Sequence, residues 1–219
     1  MTTDASPRVL VVYFSLTQQA ARVADALERA LTARGCDVTK AAIEFTDERY
    51  VGKLAQLPMK RPILQLASIL PAQLRRRTGE IRIPSEAQEG EFDLVVLSSP
   101  TWWLTTNMPI RSYLVSPAAK SAMRGKPFAS ASVSRRYYKG NLKGIRKLGE
   151  ANGGNLVGET HFVVAGGQVK SMLSWLAYMK HGEPRARVLG MKMPPPNLKP
   201  DFGLQARSFV DEVLDNRVG

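Results

Sequence analysis

Val9-Leu-Val-Val-Tyr-Phe14 passes without a break into Ser15-Leu-Thr-Gln-Gln-Ala20, and the chain then turns helical. The first six residues are rich in β-branched and aromatic side chains and too few for a typical helix, which predicts a buried strand. From Arg22 on, Val23, Ala24, Leu27 and Leu31 recur at helical spacing. Between strand and helix, Ser15 to Ala20 sets hydroxyls and backbone N–H groups at a helix N-terminus. Unpaired amides and the positive end of the helix dipole converge there, which is where α/β proteins hold phosphate. Ordinary capping by Ser15 or Thr17 would satisfy the same pattern without a ligand.

Further strands are predicted at 38–43, 92–98, 127–133 and 156–164, and helices at 19–33, 108–114, 118–123, 141–152 and 203–216. Strands alternating with helices imply parallel β-α-β units with right-handed crossovers. Five strands suit a parallel sheet in the order 2-1-3-4-5, with the ligand crevice beside strand one, outside the carboxyl ends. Two stretches exceed that plan, at about 44–91 and about 166–200. The first carries the helical stripe Ile63, Leu66, Leu70 and Leu74, then Arg75-Arg76-Arg77. The second carries Val169, Met172, Leu173, Leu176 and Met179, with Trp175 and Tyr178 nearby, before Pro194-Pro195-Pro196 forces an extended linker. Both insertions are expected to pack on the sheet or on each other. A dimer interface, a lid over a ligand and shallow contact with an anionic membrane are the alternatives. No domain boundary shows, so one domain over 1–219 is expected.

With 219 residues and 44% hydrophobic content, the chain can build one sizeable core. A formal net charge of +12 implies attraction to anions: phosphate-bearing ligands, nucleic acid or an acidic membrane surface. No recognition motif accompanies the charge, so nucleic acid is not an expected partner. No apolar run approaches ~18 residues, and residues 1–8 lack the apolar core of a secretory leader, so a cytoplasmic location is expected. The single cysteine, Cys36, excludes an intramolecular disulfide and a Cys-based metal site, and burial is its expected fate. His161, within a strand, and His181, near a helix end, give no metal signature. Neither a Walker loop nor a Ser-His-Asp triad can be assembled by motif.

Two more strand ends carry candidate ligand groups. After the third strand, Pro100 is expected to fix a turn presenting Thr101, Trp102, Trp103 and Leu104. An indole can stack on a flat heteroaromatic, and adjacent residues point apart, so one tryptophan should pack inward and the other meet the ligand. After the fourth strand stand Ser134, Arg135, Arg136, Tyr137 and Tyr138. Either arginine could pair with an anion and either tyrosine could flank a ring, although a solvated basic helix start would look the same. The three loops together suit a phosphate, a flat ring and the ring's polar edge, which are the requirements of flavin mononucleotide (FMN).

These residues carry a resemblance. Val-Val-Tyr-Phe-Ser-Leu-Thr, Ser-Pro-Thr-Trp-Trp with Met-Pro after it, and Lys-Pro-Phe-Ala before Ser134 resemble the flavodoxin-like FMN-binding superfamily over nearly the whole chain. The segments 102–114, 153–158 and 175–196 are similar to the subgroup labelled dialkylresorcinol condensing enzymes. The resemblance implies a three-layer sandwich in which Ser15, Thr17, Gln18, Gln19 and Ala20 hold the FMN phosphate. It places Pro100 through Leu104 at the isoalloxazine, and carries the third FMN-binding loop over to Ser134 through Tyr137. It further implies an FMN-dependent oxidoreductase acting on a small molecule such as a quinone or cyclic enone, with NAD(P)H as electron donor. The family pattern has Gly, Asn and Thr where Gln18, Gln19 and Ala20 stand. If the Gly position needs a positive φ, Gln18 costs ~1–2 kcal/mol there. The alternative is therefore a degenerate flavin site on a protein that binds an anionic partner or membrane surface.

Overall fold

The computed structural model describes residues 6–54, 58–165, 168–188, 190–193 and 197–217. The elements run β1 (Arg8–Tyr13), α1 (Gln19–Ala33), β2 (Asp37–Ala42), β3 (Glu44–Phe45), α2 (Glu48–Leu54), α3 (Pro62–Leu74), β4 (Ile81–Arg82), α4 (Ser85–Glu89) and β5 (Leu94–Trp102). There follow β6 (Thr105–Thr106), α5 (Met108–Leu114), α6 (Pro117–Met123), β7 (Pro127–Ser134), α7 (Lys139–Ala151), β8 (Asn155–Val163), α8 (Gln168–His181), β9 (Arg187–Val188), β10 (Met191–Lys192) and α9 (Phe202–Arg217).

The main strands form one parallel sheet in the order β2-β1-β5-β7-β8. This is the expected 2-1-3-4-5 arrangement, and its cause is visible in β1. Val9 and Val11 face one way, Leu10 and Val12 the other, and all four are fully buried. Side chains alternate across a strand, so a strand apolar on both faces needs a cover on each. Val9 and Val11 pack in a core with Val23, Leu27 and Leu31 of α1 and Phe209 and Val213 of α9. Leu10 and Val12 pack in a second core with Ile69, Met108, Tyr113 and Ile145. The chain is thus a three-layer α/β sandwich.

Three expectations need correcting. The third main strand, β5, continues through Pro100, which pairs in register with Val133, to Trp102. Pro100 therefore sits inside the strand and makes no turn. The chain reverses at Trp103-Leu104 instead, because β6 folds back to pair Thr105 with Trp102 and Thr106 with Thr101. Second, the stripe Ile63, Leu66, Leu70, Leu74 is not the buried face of α3. Leu66, Ile69, Ala72 and Gln73 are buried, while Ile63 and Leu74 are 65% and 59% exposed. Third, α8 buries Ser171, Ser174 and Met179 and leaves Val169 and Met172 exposed. Both departures have one reason: these helices pack against polar loop backbone and each other as well as against the sheet. Met59 N–H, for example, donates to the Met179 carbonyl at 2.7 Å. The expected linker at Pro194–Pro196 lies outside the described residues.

Candidate functional site

At the carboxyl ends of β1, β5 and β7 lies a cavity of about 310 Å³, at the low end of the size range of small-molecule sites. The first loop supplies Ser15, Leu16, Thr17, Gln19 and Ala20; the second supplies Pro100, Thr101, Trp102, Trp103 and Leu104. The third supplies Val133, Ser134, Arg135, Arg136 and Tyr137, and the far wall is Val164 with Met172 and Trp175 of α8. The candidates named from sequence line this space, except Gln18 and Tyr138. The two tryptophans differ in packing, though both line the cavity. Trp102 packs on the core with its ring edge-on to Phe14 at 5.6 Å, and Trp103 stands 37% exposed at the turn.

The first loop is held from two sides. Ser98 Oγ donates to the Ala20 carbonyl at 3.0 Å, fixing the start of α1 against β5. Gln18 precedes the helix with φ 61°, in the left-handed region, and its side chain caps nothing. Gln19 does not offer its amide freely to a ligand. Its Oε1 accepts from Leu198 N–H at 3.1 Å and its Nε2 donates to the Thr17 carbonyl at 3.3 Å.

The second loop is strained and braced. Trp103 and Leu104 have φ of 45° and 67°, the two-residue hairpin geometry that Asn-Gly usually fills. Non-glycine residues persist there only when their surroundings dictate it. Gln73 Nε2, from α3, donates to Thr105 Oγ1 at 2.6 Å and to the Thr106 carbonyl at 2.7 Å. The buried Arg111 donates to the Arg77 carbonyl at 2.8 Å and to the Thr106 carbonyl. Burial away from any carboxylate pushes the Arg111 guanidinium down to about 10. Under the hairpin, α7 presents Gly140 and Gly144: a Cβ at Gly140 would lie 1.9 Å from the Leu104 carbonyl oxygen, and one at Gly144 2.3 Å from Thr106 Oγ1. A buried amide pair completes the brace. Asn141 Nδ2 donates to Ser132 Oγ and the Ser99 carbonyl, while Asn107 Nδ2 donates to Ser99 Oγ and the Pro100 carbonyl. Asn107 Oδ1 also caps α5 through Ile110 N–H.

The third loop carries the charge. Arg135 lies over the Trp175 ring at 5.1 Å and donates to Ser171 Oγ at 2.7 Å. Burial alone pushes its guanidinium down to about 10, and no carboxylate lies among the cavity-lining residues. The cavity wall thus holds two guanidiniums and no anion. Arg136 is exposed and lies over Tyr137. Tyr138, the other candidate ring, stacks on His161 at 3.7 Å instead of facing the cavity. Desolvation, helped by Lys199, lowers the His161 imidazole.

Two polar atoms in this cavity are left over. Ser15 Oγ and Ser134 Oγ are buried without a hydrogen-bond partner. Buried hydroxyls are ordinarily paired, so both have hydrogen-bonding capacity to offer a ligand in the cavity. Thr101 differs: its Oγ1 already pairs with Ser132 Oγ at 3.1 Å. Sequence reasoning missed Asn107, Asn141, Gln73, Arg111 and Ser171. Only Asn107 carried a local signal, a helix cap ahead of Met-Pro.

No family model and no curated protein matches this sequence. Solved structures do match. The fold is flavodoxin-like. A flavoprotein from Lactobacillus acidophilus NCFM in complex with FMN is 16% identical, with TM-score 0.52 over 71% of this chain and 93% of that one. A short-chain flavodoxin associated with a bacterial microcompartment is 13% identical, with TM-score 0.51 over 96% and 99%. A flavodoxin from Streptococcus pneumoniae TIGR4 is 10% identical, with TM-score 0.50 over 95% and 98%. Identities this low speak to the fold. In that flavodoxin-like frame, the cavity sits where strand order reverses, the position at which doubly wound sheets bind ligands.

Proposed function

We propose that this flavodoxin-like chain binds FMN in the cavity and works as an oxidoreductase on a small apolar ring such as a quinone or cyclic enone. The observation that carries the reading is the pair of unpartnered buried hydroxyls, Ser15 Oγ in the turn before α1 and Ser134 Oγ at the end of β7, on a cavity that Trp102, Trp103 and the half-buried Arg135 also line. Those groups fit the parts of the cofactor. Ser15, Thr17 and the first amides of α1 would hold its phosphate. Trp102 and Trp103 would border the flat ring, and Ser134 would bond its polar edge. When bound, FMN supplies the electron-transfer chemistry, and the protein supplies position and electrostatics.

The chain's own residues have three tasks. The indoles and α8 exclude water from the ring. Arg135, held by Ser171 and Trp175 on the cavity wall, would offer a positive charge to a bound anionic group. Met172 and Trp175 give the outer wall an apolar character suited to an uncharged ring. NAD(P)H is the proposed donor, its phosphates drawn by Arg136 and the surrounding positive field. The condensing reaction of the similar subgroup is disfavoured, because it needs an activated nucleophile. Cys36 is buried in the core shared with α1 and α9, and desolvation raises its thiol further from ionisation.

A second reading has specific support: a flavin site that has decayed. Ala20 lacks a hydroxyl, Gln19 is engaged with Leu198, and Gln18 holds an unfavourable φ. The purified protein discriminates the two. Absorbance near ~450 nm with FMN released on denaturation supports flavin binding. A colourless protein that fails to take up added FMN refutes it. Bleaching on anaerobic mixing with NADH or NADPH supports the donor assignment, and no bleaching by either refutes it.

A further inference from the structure

A second groove, of about 410 Å³, runs along the seam between the two insertions. Its walls are Ile63 and Leu64 of α3 and Leu173 and Leu176 of α8. Ile63 and Leu64 are 65% and 63% exposed, so two adjacent large aliphatic side chains stand in water. The charged groups on its rim are Lys60, Arg61 and Lys180, with His181 beside them, and no carboxylate joins them. The sequence concentrates charge in the same two segments. Residues 58–78 contain five basic and no acidic residues, and residues 168–199 contain six basic and one acidic. Together they hold ten of the twelve net positive charges.

We infer that this groove docks the protein onto an anionic phospholipid bilayer. Exposed aliphatic side chains flanked by lysine and arginine are the composition of a surface that lies in the headgroup region, with apolar groups dipping in and long cationic stems reaching the phosphates. A second copy of the chain is the poorer occupant, because two such cationic insertions would face each other. No described helix is long and apolar enough to cross a membrane, so the contact would be peripheral. The inference does not rest on flavin binding. It gives α8 two roles, since Met172 and Trp175 line the flavodoxin-like cavity while Leu173 and Leu176 line the groove.

The test is co-sedimentation of the full chain with vesicles of phosphatidylglycerol mixed with phosphatidylcholine, against phosphatidylcholine alone. Binding is expected only to the anionic vesicles, and to weaken with salt. Lys60→Gln with Arg61→Gln should lower partitioning ~25-fold, about 5-fold for each charge lost. Ile63→Ser with Leu64→Ser should lower it ~10-fold, and both pairs are exposed enough to leave the thermal transition unmoved. Three results overturn the inference: no binding to anionic vesicles, wild-type binding by the Ser pair, or a dimer in solution that Leu64→Asp dissociates. Because FMN content is read separately by absorbance, failure here leaves the flavin reading standing, and the reverse.

Discussion

Replacing Gln18 by glycine isolates the strain in the turn before α1. Gln18 sits at φ 61° with an exposed side chain that makes no cap, so the substitution sacrifices neither burial nor a hydrogen bond there. A non-glycine residue in the left-handed region costs ~1–2 kcal/mol, and glycine returns ~0.5–1 kcal/mol of that through the greater freedom of the unfolded chain. The net expectation is a gain of ~0.5–1 kcal/mol, which raises Tm by about 1–4 °C in a protein of this size. Gln18→Ala is the control: it removes the same side chain but keeps Cβ, so it should gain nothing. Thermal denaturation of the three proteins, followed by circular dichroism, reads the difference. Affinity for FMN makes a second, separable readout. Where the turn keeps this φ both free and bound, the strain cancels and affinity stays within about twofold. Equal Tm values for the Gly and Ala variants would refute the left-handed assignment. A large gain in affinity without a gain in Tm would show that the free turn relaxes and is forced into place by the ligand.

Four further outcomes follow from the site. Ser15→Ala and Ser134→Ala each remove an unpartnered buried hydroxyl, so they should leave stability unchanged or slightly higher while weakening FMN about 5- to 10-fold, as fluorescence titration would show. Gly140→Ala has no room beneath the Leu104 carbonyl and should cost ~1–3 kcal/mol in urea denaturation together with flavin loading, whereas Gly203→Ala, in open space, should cost neither. Gln73→Leu strips donors from the Thr106 carbonyl and Thr105 Oγ1 and should destabilise by ~1–3 kcal/mol, with altered tryptophan emission if the Trp103-Leu104 turn shifts. Asp47 receives Arg49 and the Arg49 and Glu80 amides, and the Arg49 guanidinium leads in holding its carboxyl below the usual range. Its stabilising effect is present above the unfolded pKa and is lost as pH falls through the lower folded one. Asp47→Ala should therefore cost ~1–2 kcal/mol at pH 7, and the gap to wild type should close as pH falls through the lowered value of the folded carboxyl.

The central sheet was legible because its residues satisfy one demand only. Val9 to Val12 and Leu94 to Leu97 are buried on both faces, and nothing but apolar side chains fits there. The cavity walls were legible for a related reason: a parallel sheet delivers its strand ends to one rim, so naming three strand ends named the site. What holds those walls was not legible. Gln73 reaches Thr106 across 33 residues and Asn141 reaches Ser99 across 42, and no periodicity encodes such pairings. The insertion helices misled for the opposite reason. Their apolar stripes suggested buried faces, yet Ile63, Leu74 and Val169 stand in solvent, because a helix in an insertion answers to loops and partners as well as to the core. Pro100 misled because its missing N–H is costly only where the ladder needs a donor.

The bond from Leu198 to Gln19 has a consequence for biogenesis. Together with the bridge between Val164 and Leu198, it ties the turn after the first strand to a residue 179 positions later. A nascent chain can pair β1 with β5 long before that, yet the turn before α1 has its final hydrogen bonds only after residue 198 has left the ribosome. Completion of this turn is then a late event, scheduled after synthesis of nearly the entire polypeptide, and a ribosome stalled before that codon would display β1 paired with β5 but a turn without this anchor.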